Sequence, residues 1–216
     1  GNLEDITFRA IRILKESPLI AAEDTRRTKK LLSHYKLETK TISYFEHNSF
    51  ARIPKLINHL NSGEDLALVS DAGTPGISDP AYRLIRAAID SNFLVQSIPG
   101  PSAFLTALVC SGLPTDRFIF EGFLPHKKGR KGKLEKIKDI DATVIYYESP
   151  NRIKKTLNDI LKYVGDRPAV ICRELSKKFE EIFRGKVSEL LNNFNNGKAK
   201  GEFVIMIAKD DKNVYF

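Results

Sequence analysis

The stretch Ser70-Asp71-Ala72-Gly73-Thr74-Pro75-Gly76-Ile77-Ser78-Asp79-Pro80 concentrates residue types that contact ligands. Asp71 comes just after the apolar run Leu66–Val69, where a carboxylate can accept hydrogen bonds from a ligand's hydroxyl or ammonium groups. Gly73 and Gly76 permit tight backbone turns, and Pro75 and Pro80 stiffen the loop. Pro80 suits the first turn of a following helix, with Asp79 or Ser78 as its N-cap. Neither G-x-x-x-x-G-K-[ST] nor G-x-G-x-x-G is present, so phosphate binding by those routes is unsupported. A stiff loop that only caps a helix is the competing reading.

Comparable segments follow other apolar runs. They are Glu23-Asp24-Thr25-Arg26-Arg27, Glu46-His47-Asn48, Pro99-Gly100-Pro101-Ser102-Ala103, Tyr147-Glu148-Ser149-Pro150-Asn151-Arg152 and Arg173-Glu174-Leu175-Ser176-Lys177-Lys178-Phe179-Glu180-Glu181. Other chemistries find little support. His34, His47, His59 and His126 are scattered without metal-ligand spacing, and no metal is expected. There is no G-x-S-x-G elbow, and Cys110 and Cys172 sit in apolar runs, as reduced core cysteines do.

The elements that must position these segments are legible as periodicity. Strands are predicted at Leu19–Ala22, 41–45, Leu66–Val69, 93–98, 118–120, 143–147, 169–172 and 203–208. Several are apolar on consecutive residues, as strands buried on both faces are. Between them, helical stripes run through Ile53, Leu56, Ile57 and Leu60, through Ala81, Leu84, Ile85 and Ala88, and through Ile153, Leu157, Ile160, Leu161 and Val164. This alternation predicts an α/β fold with a largely parallel sheet, whose ligands collect at the carboxyl ends of its strands. The turn Ser111-Gly112-Leu113-Pro114 divides residues 1–113 from 114–216 as two predicted α/β domains. A polar tail, 209–216, is expected to fray.

With 216 residues, 42% hydrophobic and 29% charged, the composition excludes a disordered or coiled-coil chain. No apolar run approaches the ~20 residues of a membrane span, and no leader pattern is seen; a cytoplasmic protein is expected. The net charge of +8 is uneven. Residues 127–138 hold seven basic residues against Glu135, which suggests a flexible arm meeting polyanions or else a solvated lysine-rich loop.

Taken in order along the chain, the segments 1–7, 21–26, 46–48, 70–80, 99–103, 121–125, 147–152 and 173–181 resemble a known family. They are similar to the bacterial small-subunit ribosomal RNA cytidine 2′-O-methyltransferases of the tetrapyrrole-methylase superfamily. The resemblance covers nearly all of residues 1–208. It implies two α/β domains with S-adenosylmethionine in the cleft between them, a homodimer, and methyl transfer to a ribose hydroxyl of 16S rRNA. It also implies cofactor contacts from Asp71, Ala72, Gly73, Thr74 and Ile77, from Ser102 and Ala103, and from Tyr147, Glu148 and Pro150, with Asp71 as the main anchor. Family members carry a β-strand just before the Gly-Asn that opens this chain, so that first strand is expected to be missing here, as is a small helical extension after the last strand.

Within that reading, an alcohol is a weak nucleophile, so a general base is useful. Glu23, Asp24, His47 and Glu148 are candidates, with Glu23 or Asp24 favoured. Lys127, Lys128, Arg130, Lys131 and Lys133 would bind rRNA phosphates, and Arg26, Arg27, Lys29 and Lys30 would add a second basic patch. The alternatives are another enzyme of the superfamily, acting on a tetrapyrrole or a protein, and a non-enzymatic RNA-binding module.

Overall fold

A computed structural model describes residues 1–194 and 199–215. Two compact units are present, Gly1–Ser102 and Ala103–Phe216, the second of which includes residues 195–198 and 216 outside the described part. The division falls ahead of the helix Ala103–Ser111, because that helix packs its Ala107 and Leu108 onto the second sheet.

In the first unit the order is α1 (Phe8–Glu16), β1 (Leu19–Ala22), α2 (Thr25–His34), β2 (Lys40–Ser43), α3 (Ser49–Asn61), β3 (Leu66–Val69) and α4 (Ala81–Asp90). The strands form a parallel sheet in the order β2-β1-β3. The central strand is sealed on both sides, which is why its sequence is apolar at consecutive positions. Ile20 and Ala22 pack with Leu14 of α1 and Leu32 of α2, whereas Ala21 faces Leu56 of α3 and Leu84 of α4. The helical stripes predicted around Leu56 and Leu84 are the faces that cover the sheet.

Residues 93–98 are not a strand. Their composition suits one, but among the described residues β3 pairs only with β1, and no neighbouring strand bonds to this segment. Leu94 is left 93% exposed. An extended segment needs a ladder partner to become a strand, and periodicity does not report whether one exists.

In the second unit the order is α5 (Ala103–Ser111), β4 (Phe118–Phe123), α6 (Arg130–Glu135), β5 (Thr143–Glu148), α7 (Ile153–Tyr163), β6 (Pro168–Arg173), β7 (Glu181–Lys186), α8 (Val187–Asn193) and β8 (Phe203–Ile207). The sheet order is β4-β5-β8-β6-β7. Only β4 and β5 run parallel; β8 is antiparallel to both β5 and β6, and β6 is antiparallel to β7. The expected largely parallel sheet thus holds for the first unit and not for the second. The β6–β7 connection is short enough for a hairpin, and β8 enters from the opposite end, so neither needs a crossover helix. One face packs Val144, Tyr146, Ile171 and Ile205 against α6, α7 and α8. The other packs Ile145, Val170, Cys172 and Met206 against α5. The tail expected to fray folds back instead, with Val214 against that second face.

A β-bulge shapes the edge of this sheet. Phe120 pairs with Ile145, and the next pairing is Phe123 with Tyr147, so β4 spends one extra residue. Gly122 supplies it with a left-handed φ of 63°. The bulge turns Phe123 to the face that Phe118 and Phe120 already occupy.

Candidate functional site

The carboxyl ends of β1 and β3 lie side by side, since Ala22 is in register with Val69. The residues that follow must therefore meet, and they interlock. The Asp71 amide donates to Glu23 Oε2 at 3.1 Å, and the Asp24 amide donates to Asp71 Oδ1 at 3.0 Å. Arg27 Nη1 stands 3.4 Å from Asp71 Oδ2. Asp71 is thus fixed from both sides while its side chain stays 26% exposed.

Asp24 is committed to other work. It caps α2 by accepting from the Arg26 amide at 2.8 Å, and it holds the Arg26 guanidinium through Nη2 at 2.8 Å and Nε at 3.1 Å. The hydrogen bonds from Arg26 bring its pKa down to about 2. A carboxylate so stabilised is a poor proton acceptor near neutral pH. Among the described residues Glu23 has no such cation on it; its Oε2 accepts from the Asp71 amide.

Beyond Asp71 the loop is held by its own side chains. Asp79 accepts from the amides of Gly76 and Ala81, each at 2.9 Å, so it caps α4 from one position before Pro80. Gly73 and Gly76 take φ of 74° and 96°, conformations that favour glycine. Thr74 Oγ1 donates to the Pro101 carbonyl at 3.1 Å, and a Cβ on Gly73 would lie 3.6 Å from the same oxygen. The Asp71–Ile77 stretch and the turn leading to Ser102 are therefore in contact. Ala72 and Ile77 are exposed on this loop. His47 lies in the short turn Glu46–Asn48 that follows β2, next to β1. Periodicity gave no sign of Tyr44, a buried strut whose hydroxyl donates to the Pro80 carbonyl at 3.1 Å and ties the β2 end to the loop. A tyrosine just after a strand was the available signal.

In the second unit, alternation along β5 sends neighbouring residues to opposite faces. Tyr147 faces α5, and its hydroxyl accepts from the Phe104 amide at 3.3 Å, one residue after Ala103. Burial pushes its phenol pKa up. Phe104 stacks on Phe120 at 4.7 Å, and Phe120 and Phe123 meet Tyr147 edge-on at 4.9 and 5.7 Å. These phenylalanines were not singled out from the sequence, although their spacing along β4 is visible there once the Gly122 bulge is allowed for.

Glu148 points the other way, under α7, and is 3% exposed. Its Oε1 accepts from the Ser149 amide at 2.8 Å and lies 3.3 Å from Arg152 Nε. Its Oε2 accepts from Thr156 Oγ1. Its carboxylate is consumed inside the unit, so Glu148 offers a ligand its backbone and not its charge. Pro150 follows at the mouth of α7, where the helix is started by the Ser149 carbonyl accepting from the amides of Arg152 and Ile153 and not by the Ser149 side chain.

The basic segment is a packed helix and not a flexible arm. Leu134 and Ile137 are buried in the core, and Gly129, at φ 81°, begins α6. Arg130 is turned inward at 6% exposure. Its Nε meets Asp159 at 2.7 Å, Nη2 donates to Thr156 at 2.7 Å, and Nη1 donates to the Pro125 carbonyl at 3.1 Å. The expected phosphate contact at Arg130 is therefore replaced by an internal one. Lys133 is likewise bound to Glu121, at 2.7 Å. Lys131 is exposed, 3.6 Å from Glu135. Lys127 and Lys128 are exposed and carry no ion pair among the described residues. In the first unit Arg26, Arg27, Lys29 and Lys30 are exposed along α2.

Among the described residues no group of three or more His, Cys, Asp or Glu side chains could hold a metal ion, and no helix is long and apolar enough to cross a membrane. Cys110 and Cys172 are unbridged; burial first, and then the Cys110 thiol beside it, push the Cys172 pKa up to about 12.

Comparison with known proteins agrees with this arrangement. The pattern of the Tetrapyrrole (Corrin/Porphyrin) Methylases matches residues 1–191. The ribosomal RNA small subunit methyltransferase I of Halalkalibacterium halodurans is 51% identical over 99% of this chain and 74% of its own. The protein of the same name from Thermotoga maritima is 45% identical over 96% of this chain and 94% of its own. The uroporphyrin-III C-methyltransferase of Thermus thermophilus, solved with S-adenosylhomocysteine, shares the fold with a TM-score of 0.66 at 17% identity, covering 95% of this chain and 92% of that one. With its braced strand ends and glycine loop matched across almost its whole length, this chain belongs to the tetrapyrrole (corrin/porphyrin) methylase family.

Proposed function

We propose that this protein transfers a methyl group from S-adenosylmethionine to a ribose 2′-hydroxyl of a cytidine in 16S rRNA. Half-identity over nearly the full chain to proteins named for small-subunit ribosomal RNA methylation carries this reading. We further propose that it works in the cytoplasm, as a homodimer.

The residues fit the cofactor by chemistry. S-adenosylmethionine is cationic at sulfur and ammonium and carries no phosphate, which suits a loop without a phosphate-binding signature. Asp71 offers a fixed, part-exposed carboxylate, and the left-handed turns at Gly73 and Gly76 leave backbone polar groups uncovered by side chains. In the first unit Asp71, Ala72, Gly73, Thr74, Ile77 and Ser102 would hold it. In the second unit Ala103, Tyr147, Pro150 and the Glu148 backbone form the proposed contact set. When bound, the cofactor supplies a methyl already activated on a sulfonium, so no acid is needed for the leaving group.

The protein's own task is then to place the ribose oxygen and accept its proton. Glu23 Oε2 is occupied by the Asp71 amide, which leaves Oε1 for that proton. Lys127, Lys128 and Lys131, with Arg26, Arg27, Lys29 and Lys30, would contact rRNA phosphates, fixing register without reading bases. These exposed cations favour an RNA substrate over a tetrapyrrole.

Calorimetry of S-adenosylmethionine with the parent and Asp71→Ala tests the cofactor loop; binding equal in both refutes it. Methyl transfer to small ribosomal subunits by Glu23→Gln tests the base. The amide side chain can still accept from Asp71, so a loss of about 100-fold in kcat with cofactor affinity intact is expected. Near-full turnover removes Glu23 from the role.

A further inference from the structure

The opposite end of the first sheet carries a second basic feature. Leu19 of β1 is in register with Lys40 of β2, so the chains entering these two strands run side by side. Between them lies a surface depression of about 420 Å³. Lys15, Lys36 and Lys40 stand around it, with Glu38 as the one acid. Ser17 and Thr39 also line it, but their hydroxyls donate inward, to the Ile13 and Leu14 carbonyls at 2.8 and 2.6 Å. The donors left for a ligand are the lysines, and all three are exposed. Among the described residues none of the three has an acidic partner, whereas the nearby Arg12 is taken by Glu16 at 2.8 Å.

Lys36 is also held in an uncommon backbone conformation. It follows the end of α2 with φ of 54°, a region glycine enters without strain and a lysine does not. The flanking bonds from the Lys36 amide to Ser33 O and from the Leu37 amide to Leu32 O fix it there. A glycine would end the helix more comfortably. Lys36 lines the depression from this strained point.

A second set of cations lies on the helix that leads to the depression. Helix α2 starts at the carboxyl end of β1, beside Glu23 and Asp71, and ends at His34, two residues before Lys36; at ten residues it spans about 15 Å. Arg26, Lys29 and Lys30, spaced by three and four residues, lie on one exposed stripe of it. Lysine ammoniums are flexible point charges suited to single phosphate contacts, and a spaced row of them matches a polyphosphate backbone better than one compact anion.

We propose that Lys15, Lys36 and Lys40 form a second phosphodiester-binding site for RNA, reached along α2 from the candidate methyl-transfer site. This rests on the RNA-methyltransferase reading above and extends its footprint to the far edge of the first unit. The contacts are to backbone and add affinity and register without sequence preference.

The test is binding of transcribed 16S rRNA by the parent and by the triple variant K15Q/K36Q/K40Q, followed across salt. Loss of three phosphate contacts predicts affinity roughly 10- to 100-fold lower and a log–log salt slope shallower by about 2. S-adenosylmethionine binding and the thermal midpoint should stay at parent values. The variant K154Q/K155Q/K162Q removes equal charge from α7 and should retain affinity within about threefold, which separates place from net charge. RNA affinity unchanged in the first variant, or lowered equally in the second, overturns the site. Saturation of the depression by inorganic phosphate at millimolar concentration, followed by NMR of the lysines, with RNA affinity unaffected by the substitutions, would make it a free-anion site and likewise overturn the proposal. If the parent binds cofactor but no RNA, the rRNA reading itself fails, and this proposal with it.

Discussion

Arg130 offers a sharp test of the structure, because composition places it among RNA contacts and the fold places it in the interior. Arg130→Ala would delete three internal hydrogen bonds, to Asp159, Thr156 and the Pro125 carbonyl. Breaking a buried ion pair from one side costs about 3–5 kcal/mol when the remaining charge is fully enclosed. The Asp159 side chain is 21% exposed and can recover some hydration, so the lower end, about 3 kcal/mol, is expected. For a chain of this size each kcal/mol moves the thermal midpoint by about 2–4 °C, which gives a fall of about 6–12 °C. Urea unfolding should show a lower midpoint with the same slope, since the surface exposed on unfolding is unchanged. Lys127→Ala and Lys128→Ala, at exposed positions, should each stay within about 0.5 kcal/mol of the parent. Their RNA affinity should fall, whereas folded Arg130→Ala at low temperature should bind RNA as the parent does. An Arg130→Ala protein that melts within about 2 °C of the parent and has a shallower RNA salt slope would refute the internal role.

Two further expectations follow from single side chains. Asp24 has a folded pKa near 2 against its ordinary 3.8, so its stabilising effect is present above pH 3.8 and is lost as pH falls through about 2. Urea melts at pH 7 and pH 2 should therefore show Asp24→Asn less stable than the parent at the higher pH, with most of that gap gone at the lower; an unchanged gap would contradict the assignment. Tyr146 is buried with a hydroxyl that has no hydrogen-bond partner among the described residues. Tyr146→Phe should consequently raise stability by about 1 kcal/mol, seen as a midpoint about 2–4 °C higher, and a fall would show that the hydroxyl has a partner in solution.

What could be read in advance depended on whether a residue's role is set by its neighbours in sequence or in space. Strands such as Leu19–Ala22 and Leu66–Val69 are apolar throughout because both faces are covered, and that is a local signature. The cap at Asp79 was legible for the same reason: it acts on amides two to three residues away. Residues 93–98 and Glu181–Lys186 show the limit. The first has strand composition without a partner, and the second is a strand at the sheet edge whose charged residues Glu181, Arg184 and Lys186 interrupt any apolar run. Pairing is a long-range property, so composition misleads in both directions. The candidate site divides similarly. Asp71 and the glycines stood out because a loop must be built from them. The lock of Arg26 on Asp24 acts over two residues and is local in the same sense, whereas that Glu148 turns under α7 and that one cation of seven in residues 127–138 points inward depend on which face the fold covers.

The strand order of the second unit has a consequence for biosynthesis. β8 is the middle strand of that sheet, yet among its described strands it is the last to be translated. Until residues 203–207 leave the ribosome, β4–β5 and β6–β7 are two separate pairs, and an isolated pair of strands is marginal in water. The second unit therefore closes in one late step, after the first unit has had its whole sequence available for folding. A nascent chain stalled before Phe203 would carry the first unit attached to an open sheet with two unpaired inner edges, a form prone to associate with its own copies and a natural client for holding chaperones.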